Sequence, residues 1–262
     1  MKLPFYWVDA FADRLFTGNP AGVVPLDAWI DDALMQKIAF ENNLPETAFF
    51  VPKGRDFALR WFSPTVEIPL CGHATLASGH IVFTLLDPGR SEVGFETMSG
   101  RLGVAREGEL LALDFPARAS RPVEPEAWLA KAIGTAPDAL FDGGGGNLMV
   151  VVADAAAVRG LAVDMAALDR GLKGRGLIVT ARGEDVDFVS RYFAPNHGIP
   201  EDAVTGSAHC TLAPFWAGRL GKAALEARQL SARGGRLRCT VKGDRVAIAG
   251  RAITYMTGTI EV

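Results

Sequence analysis

The fold turns on Pro69-Leu70-Cys71-Gly72-His73-Ala74-Thr75-Leu76-Ala77-Ser78-Gly79-His80-Ile81-Val82-Phe83. From Thr75 to Phe83 this stretch is small or apolar on nearly every face. A helix of that kind is enclosed by other elements rather than lying on a surface. Leu86-Asp87-Pro88-Gly89 supplies its stop. A second stretch, Gly206-Ser207-Ala208-His209-Cys210, opens another small, apolar helix, expected from about Gly206 to Leu220. Pro214 falls inside it and should kink it or restrict its packing. The two opening glycines are 206 − 72 = 134 residues apart, close to half of the 262-residue chain. Strands stand before and after the helix in each half. The expected fold is α+β, with two pseudo-symmetric lobes, each a mostly antiparallel sheet wrapped around a central buried helix. The polar, proline-containing segment Arg118–Pro125 marks the expected boundary, giving lobes of residues 1–118 and 119–262. The last strand, Ile253 to Val262, is free to return to the first lobe.

Working outward, strands are expected at Phe5–Phe11, Ala21–Leu26, Thr47–Val51, Phe57–Phe62, Glu92–Thr97, Leu102–Arg106 and Leu110–Phe115. A helix is expected over Asp31–Asn42 and a short one over Glu126–Ile133. In the second half, strands are expected at Leu148–Val152, Leu177–Thr180 and Asp187–Phe193. A meander at Leu237–Val241, Val246–Ala249 and Ile253–Val262 closes the chain. Hydrophobic residues make up 49% and charged residues 22%, which suits a folded protein and excludes a disordered one. The net charge of −3, with no basic run, excludes an electrostatic nucleic-acid footprint. No apolar stretch has the length of a membrane span, and the N-terminus does not read as a signal peptide. Three cysteines at unrelated spacings argue against a disulfide framework, so a cytoplasmic setting is expected.

Three constellations carry candidate chemistry. In Asn43-Leu44-Pro45-Glu46-Thr47-Ala48-Phe49, Glu46 sits between a helix and an apolar strand. Partial desolvation of a carboxylate fits it for general acid/base work. An exposed loop glutamate is the plain alternative, and composition alone favours it. In Cys71-Gly72-His73, Gly72 lets the backbone approach a ligand, and the helix N-terminus after it suits a carboxylate. A buried structural cysteine and a capping histidine explain the same residues equally well. Cys-x-His lacks a second pair at metal spacing, so no metal is expected. In Glu201-Asp202-Ala203-Val204-Thr205-Gly206-Ser207, a carboxylate precedes the second helix, and Ser207 can cap it or donate to a ligand. Ordinary turn and cap roles are the alternative for Asp202 and Ser207. Gly143–Gly146 is not a phosphate loop, because no Lys-Ser/Thr follows, and no GxGxxG stands between a strand and a helix. A nucleotide cofactor is therefore disfavoured. His197 is expected in a solvated loop, and Cys210 and Cys239 as packing residues.

At these segments the chain resembles the PhzF-like phenazine-biosynthesis family, within the diaminopimelate-epimerase-like superfamily. The resemblance rests on Val8-Asp9-Ala10-Phe11 with Gly18-Asn19-Pro20-Ala21, on Leu44-Pro45-Glu46-Thr47-Ala48-Phe49, on Cys71 to Ala77, and on Asp202 to Cys210. It spans essentially the whole chain, and the motifs are specific as a set. It implies two lobes with an active site between them, a cofactor-free isomerase, and commonly a homodimer. In the best-known member of that family one glutamate moves a proton within dihydro-hydroxyanthranilic acid, and the match does not specify the substrate here. That role falls on Glu46. Substrate-holding roles fall on His73, Asp202 and Ser207, on backbone N–H groups around Gly72 and Gly206, and on Asn19. The expected partner is a small carboxylate-bearing molecule, with no nucleic acid and no membrane. Related epimerases and racemases use two thiols. Here Cys71 stands at the first thiol motif and Thr205 where the second is expected. Two-thiol racemisation is thereby disfavoured. An amino-acid or hydroxy-acid epimerase or racemase remains an alternative, as does a non-catalytic small-molecule binding protein on the same scaffold.

Overall fold

A computed structural model describes residues 1–262. The chain divides into two units, Met1–Asp114 with Ala249–Val262, and Phe115–Ile248. The first begins with strand β1 (Lys2–Ala10) antiparallel to β2 (Asn19–Pro25). Helix α1 (Asp32–Asn42) carries the chain over to β3 (Glu46–Lys53), which is parallel to β2. Asp31 caps that helix, its carboxylate accepting the Leu34 N–H. Met35, Ile38 and Ala39 of α1 pack with Phe49, Val51 and Phe62 in a buried cluster. Strand β4 (Asp56–Phe62) returns antiparallel to β3, and the two-residue strand β5 (Glu67–Ile68) lies against it. Helix α2 (Gly72–Ile81) and a π-helical turn, Val82–Leu86, then cross to β6 (Glu92–Thr97), parallel to β4. Hairpin partners β7 (Gly100–Glu107) and β8 (Leu110–Pro116) follow antiparallel.

Every residue of α2 except Gly72 and His80 is buried. The helix touches β1, β2, β3 and β7. Its enclosure follows from its small side chains. At Gly79 an added Cβ would lie 2.8 Å from a Val104 methyl of β7, so glycine sets the approach of helix to strand there.

The second unit repeats this order. Short β9 (Arg121–Pro122) and helix α3 (Ala127–Ile133) precede β10 (Ala139–Gly144), and β11 (Asn147–Val151) is antiparallel to β10. The tetraglycine is the hairpin turn between them, with Gly144, Gly145 and Gly146 all at positive φ. Helices α4 (Ala155–Arg159) and α5 (Met165–Leu172) cross to β12 (Gly176–Arg182), parallel to β11. Strand β13 (Phe188–Ala194) is antiparallel to β12, and short β14 (Ile199–Asp202) lies against it. Helix α6 (Gly206–Leu220) crosses to β15 (Ala224–Gln229), parallel to β13, and β16 (Gly235–Lys242) is antiparallel to β15. Strand β17 (Arg245–Gly250) and the C-terminal strand β18 (Ala252–Glu261) complete the chain. β18 pairs antiparallel with β1 along its length, and so belongs to the first unit.

The sheets are therefore mixed rather than purely antiparallel. In each unit the two crossover connections produce parallel pairs, and hairpins produce the rest. Helix α6 runs through Pro214 without a break, and His209, Cys210, Thr211, Leu212 and Ala213 are buried along it. His197 is exposed in a 3-10 turn, and all three cysteines are buried free thiols. No helix is long and apolar enough to cross a membrane.

Candidate active site

Glu46 reaches the interior because helix α1 ends abruptly. Asn43 takes the left-handed conformation, φ 49° and ψ 33°, and its N–H bonds the Ala39 carbonyl. The chain then enters β3 at Glu46, the residue that opens the parallel ladder opposite Ala21. Glu46 is only 8% exposed. The sequence alternative of an exposed loop glutamate is thereby overturned. His73 is the second residue of α2 and is also buried, at 7%. It does not cap the helix. Cys71 occupies the N-cap in an extended conformation and makes no side-chain cap bond. Asn19 opens β2 and is fully buried. It follows Gly18, which has φ +75° and where an added Cβ would lie 2.3 Å from the Ala10 carbonyl oxygen. Glycine is needed there to admit the turn that delivers Asn19.

Four side chains from three distant segments thus meet. His73 Nε2 lies 3.0 Å from Glu46 Oε2. Its Nδ1 lies 3.2 Å from Asn19 Nδ2 and 3.5 Å from Cys71 Sγ. Glu46 Oε2 and His73 Nε2 are both buried, and their mutual approach is not aligned as a good hydrogen bond. Buried polar atoms are paired in the great majority of cases, so such a donor and acceptor mark a place built for something other than packing. The ligating atoms of Glu46, Cys71 and His73 lie within 4.8 Å of one another. Glu46 and Cys71 approach different ring nitrogens, however, and do not converge on one imidazole lone pair.

Two influences on His73 oppose each other. Burial disfavours the charged ring, while negative charge at Cys71 and Glu46 favours it and outweighs burial, placing the pKa above the ordinary imidazole value. Burial and the Glu46 carboxylate together push the Cys71 thiol up, so it stays protonated at neutral pH. Glu46 favours the charged ring. Against it stands Asn19, whose amide nitrogen can only donate and so requires a lone pair on Nδ1. The Asn19 contact therefore favours a neutral ring, and Glu46 a charged one.

In the second unit, Asp202 and Ser207 are half-buried near the start of α6. The Thr205 hydroxyl donates to Asp202 Oδ2 at 2.6 Å. Gln229 fixes the pair. Its Oε1 accepts the Thr205 N–H at 2.8 Å, and its Nε2 donates to the Asp202 carbonyl at 2.8 Å. Thr205 holds the N-cap position without a side-chain cap bond, so Ser207 is not the cap. Arg118 Nη1 reaches the Ser207 carbonyl at 3.5 Å. One turn on, His209 Nδ1 donates to the Thr205 carbonyl at 2.8 Å, and burial drives its pKa down to about 4. Gly206 and Gly72 open their helices as the sequence suggested. Gln229 was not anticipated. The signal was present, because in β15 it shares the buried phase of Leu225 and Ala227.

A family model described as phenazine biosynthesis-like protein, PhzC-PhzF, matches residues 8–258. The chain belongs to the PhzC-PhzF family. A Pseudomonas aeruginosa relative named an uncharacterized isomerase is 51% identical over 262 residues, covering all of both chains. A crystal structure of a PhzF-family protein from Enterococcus faecalis superposes with a TM-score of 0.96 at 43% identity, covering 100% of both chains. The fold extends further. A hydroxyproline epimerase from Agrobacterium vitis shares it with a TM-score of 0.61 at 13% identity, covering 99% of this chain and 92% of the other. The PhzC-PhzF architecture is thus the α+β, epimerase-like fold.

Proposed function

We propose that this PhzC-PhzF protein is a cofactor-independent isomerase that moves a proton between carbons of a small carboxylate-bearing substrate. Glu46 is the general acid/base. The observation that carries this reading is the buried Glu46 carboxylate, 3.0 Å from His73 Nε2. Glu46 takes a proton from one carbon and returns it at another, so its own protonation state is restored each turnover and no further reactant is needed. His73 orients the carboxylate and the substrate's polar groups. Asp202 and Ser207, with backbone N–H groups near Gly72 and Gly206, take substrate-holding roles on the strength of the family match. The relative named an isomerase supports the reaction class. A cytoplasmic homodimer belongs to the same proposal.

A racemase with two thiols is disfavoured, since Thr205 stands at the second thiol position and donates its hydroxyl proton to Asp202. The test is proton NMR of the protein with dihydro-hydroxyanthranilic acid in heavy water, beside Glu46→Gln. Isomerisation by the wild type alone supports the proposal. Isomerisation by both proteins contradicts it. If neither reacts, a panel of amino and hydroxy acids is scored for deuterium uptake and inversion. Uptake with inversion points to the epimerase, and binding without uptake to a non-catalytic protein.

A further inference from the structure

We propose that Asn19 is a positioning residue that keeps His73 neutral, with its single ring proton on Nε2, the ring nitrogen nearer Glu46. This rests on the reading of Glu46 as the base only for its consequence, not for the geometry. The Asn19 amide nitrogen is 3.2 Å from Nδ1. An amide N–H has no lone pair to accept with, so Nδ1 must accept and the ring proton must sit on Nε2. Nε2 faces Glu46 Oε2 at 3.0 Å. Three features keep Asn19 in place. Gly18 permits the turn before it, the β1–β2 ladder pairs it with Ala10, and it is wholly buried.

The groups that act on the ring are few. Glu46 of β3 and Cys71 at the helix start face it. On β1, Asp9 accepts the Phe16 N–H. On β7, Arg106 acts on His80, further along α2. The choice between neutral ring and imidazolium therefore lies between the Glu46 carboxylate on one nitrogen and the Asn19 donor on the other. The choice matters for chemistry. An imidazolium would place a full positive charge 3.0 Å from the carboxylate proposed to take the substrate proton. A neutral ring lies beside the carboxylate without that charge.

The test replaces the donor by an acceptor of the same shape, Asn19→Asp. The nitrogen-15 resonances of His73 are read at neutral pH in the substrate-free protein, with His73→Gln for assignment. The wild type should show a lone-pair nitrogen at Nδ1 and a protonated Nε2. Asn19→Asp should show both nitrogens protonated. If the variant fails to fold, Asn19→Ser, which keeps a donor, and Asn19→Ala serve instead. Asn19→Ala should then raise the ring pKa and Asn19→Ser should largely restore it. A wild-type ring already protonated on both nitrogens, or a proton on Nδ1 alone, overturns the proposal, and so does a variant ring identical to the wild type. None of these readings needs a substrate, so they stand or fall apart from the Glu46 mechanism. Where turnover is measurable, Asn19→Asp should lower kcat by about tenfold or more and shift its pH profile, with KM little changed.

Discussion

The two units run through the same sequence of pairings, yet they carry different chemistry at matching places. In each, a crossover ends in a strand that opens a parallel ladder. That first residue is Glu46 in one unit and Gly176 in the other. In each, a short strand is followed by an extended residue and a glycine-opened helix. The residues around that glycine are Cys71 and His73 in one unit, and Thr205 and Ser207 in the other. The first unit buries a carboxylate beside an imidazole. The second spends its polar groups on each other, through Asp202, Thr205 and Gln229. A repeated fold thus supplies two helix N-termini but only one candidate base. Position in the fold provides the helix starts, and side-chain identity sets the two units apart.

The comparison is broken most directly at Glu46. Glu46→Gln should cut kcat by a factor on the order of a thousand while the melting temperature stays close to wild type, as steady-state kinetics and calorimetry will show. In the second unit the expected loss is of stability. Gln229→Leu strands the Thr205 N–H and the Asp202 carbonyl. Urea unfolding should register a cost of about 2–4 kcal/mol. Gly176→Ala places a Cβ about where Tyr192 Oη and Asn147 Oδ1 stand, 2.2 and 2.5 Å away. A destabilisation of about 1–3 kcal/mol is expected from overpacking, and it shows that the second unit has no room for a side chain at the Glu46-like position.

His209 of the second unit carries a pH dependence of its own. His209 sits near 4 when folded, below the ordinary 6.5, because burial opposes its charge. Its contribution is full above pH 6.5 and is lost as pH falls from 6.5 through about 4. That loss is on the order of 3 kcal/mol at the acid end. His209→Gln should flatten that part of the unfolding free energy against pH. The smallest effect is expected at Cys71→Ser, where turnover should fall less than about tenfold, since a protonated thiol cannot accept a proton from substrate.

Helix α6 was legible to its ends, because glycine opens it and Leu220-Gly221 closes it with a left-handed cap. The paired buried helices, and hence the repeat, followed from Gly72 and Gly206. Strand β15 was not legible. Ala-Leu-Glu-Ala-Arg-Gln has helix-forming residues throughout, and it becomes a strand because β13 and β16 pair with it on either side. Helices α4 and α5 were missed although Asp154 and Asp164 cap them, because they are only five and eight residues long. At the candidate site, residue types were readable and contacts were not. Asn19 and His73 are 54 positions apart, and nothing local in either segment predicts that their side chains meet. The burial of Glu46 likewise depends on the left-handed turn at Asn43 and on the strands around it, not on its neighbours in sequence.

One measurement tests the assignment of the base most directly. Deuterium uptake from heavy water, into whichever carboxylate substrate the wild type turns over, is followed for Glu46→Gln and Cys71→Ser side by side. The expected result is loss of uptake in Glu46→Gln and near-normal uptake in Cys71→Ser. Uptake that survives Glu46→Gln and disappears in Cys71→Ser would contradict it, and would place the proton-moving group on the thiol.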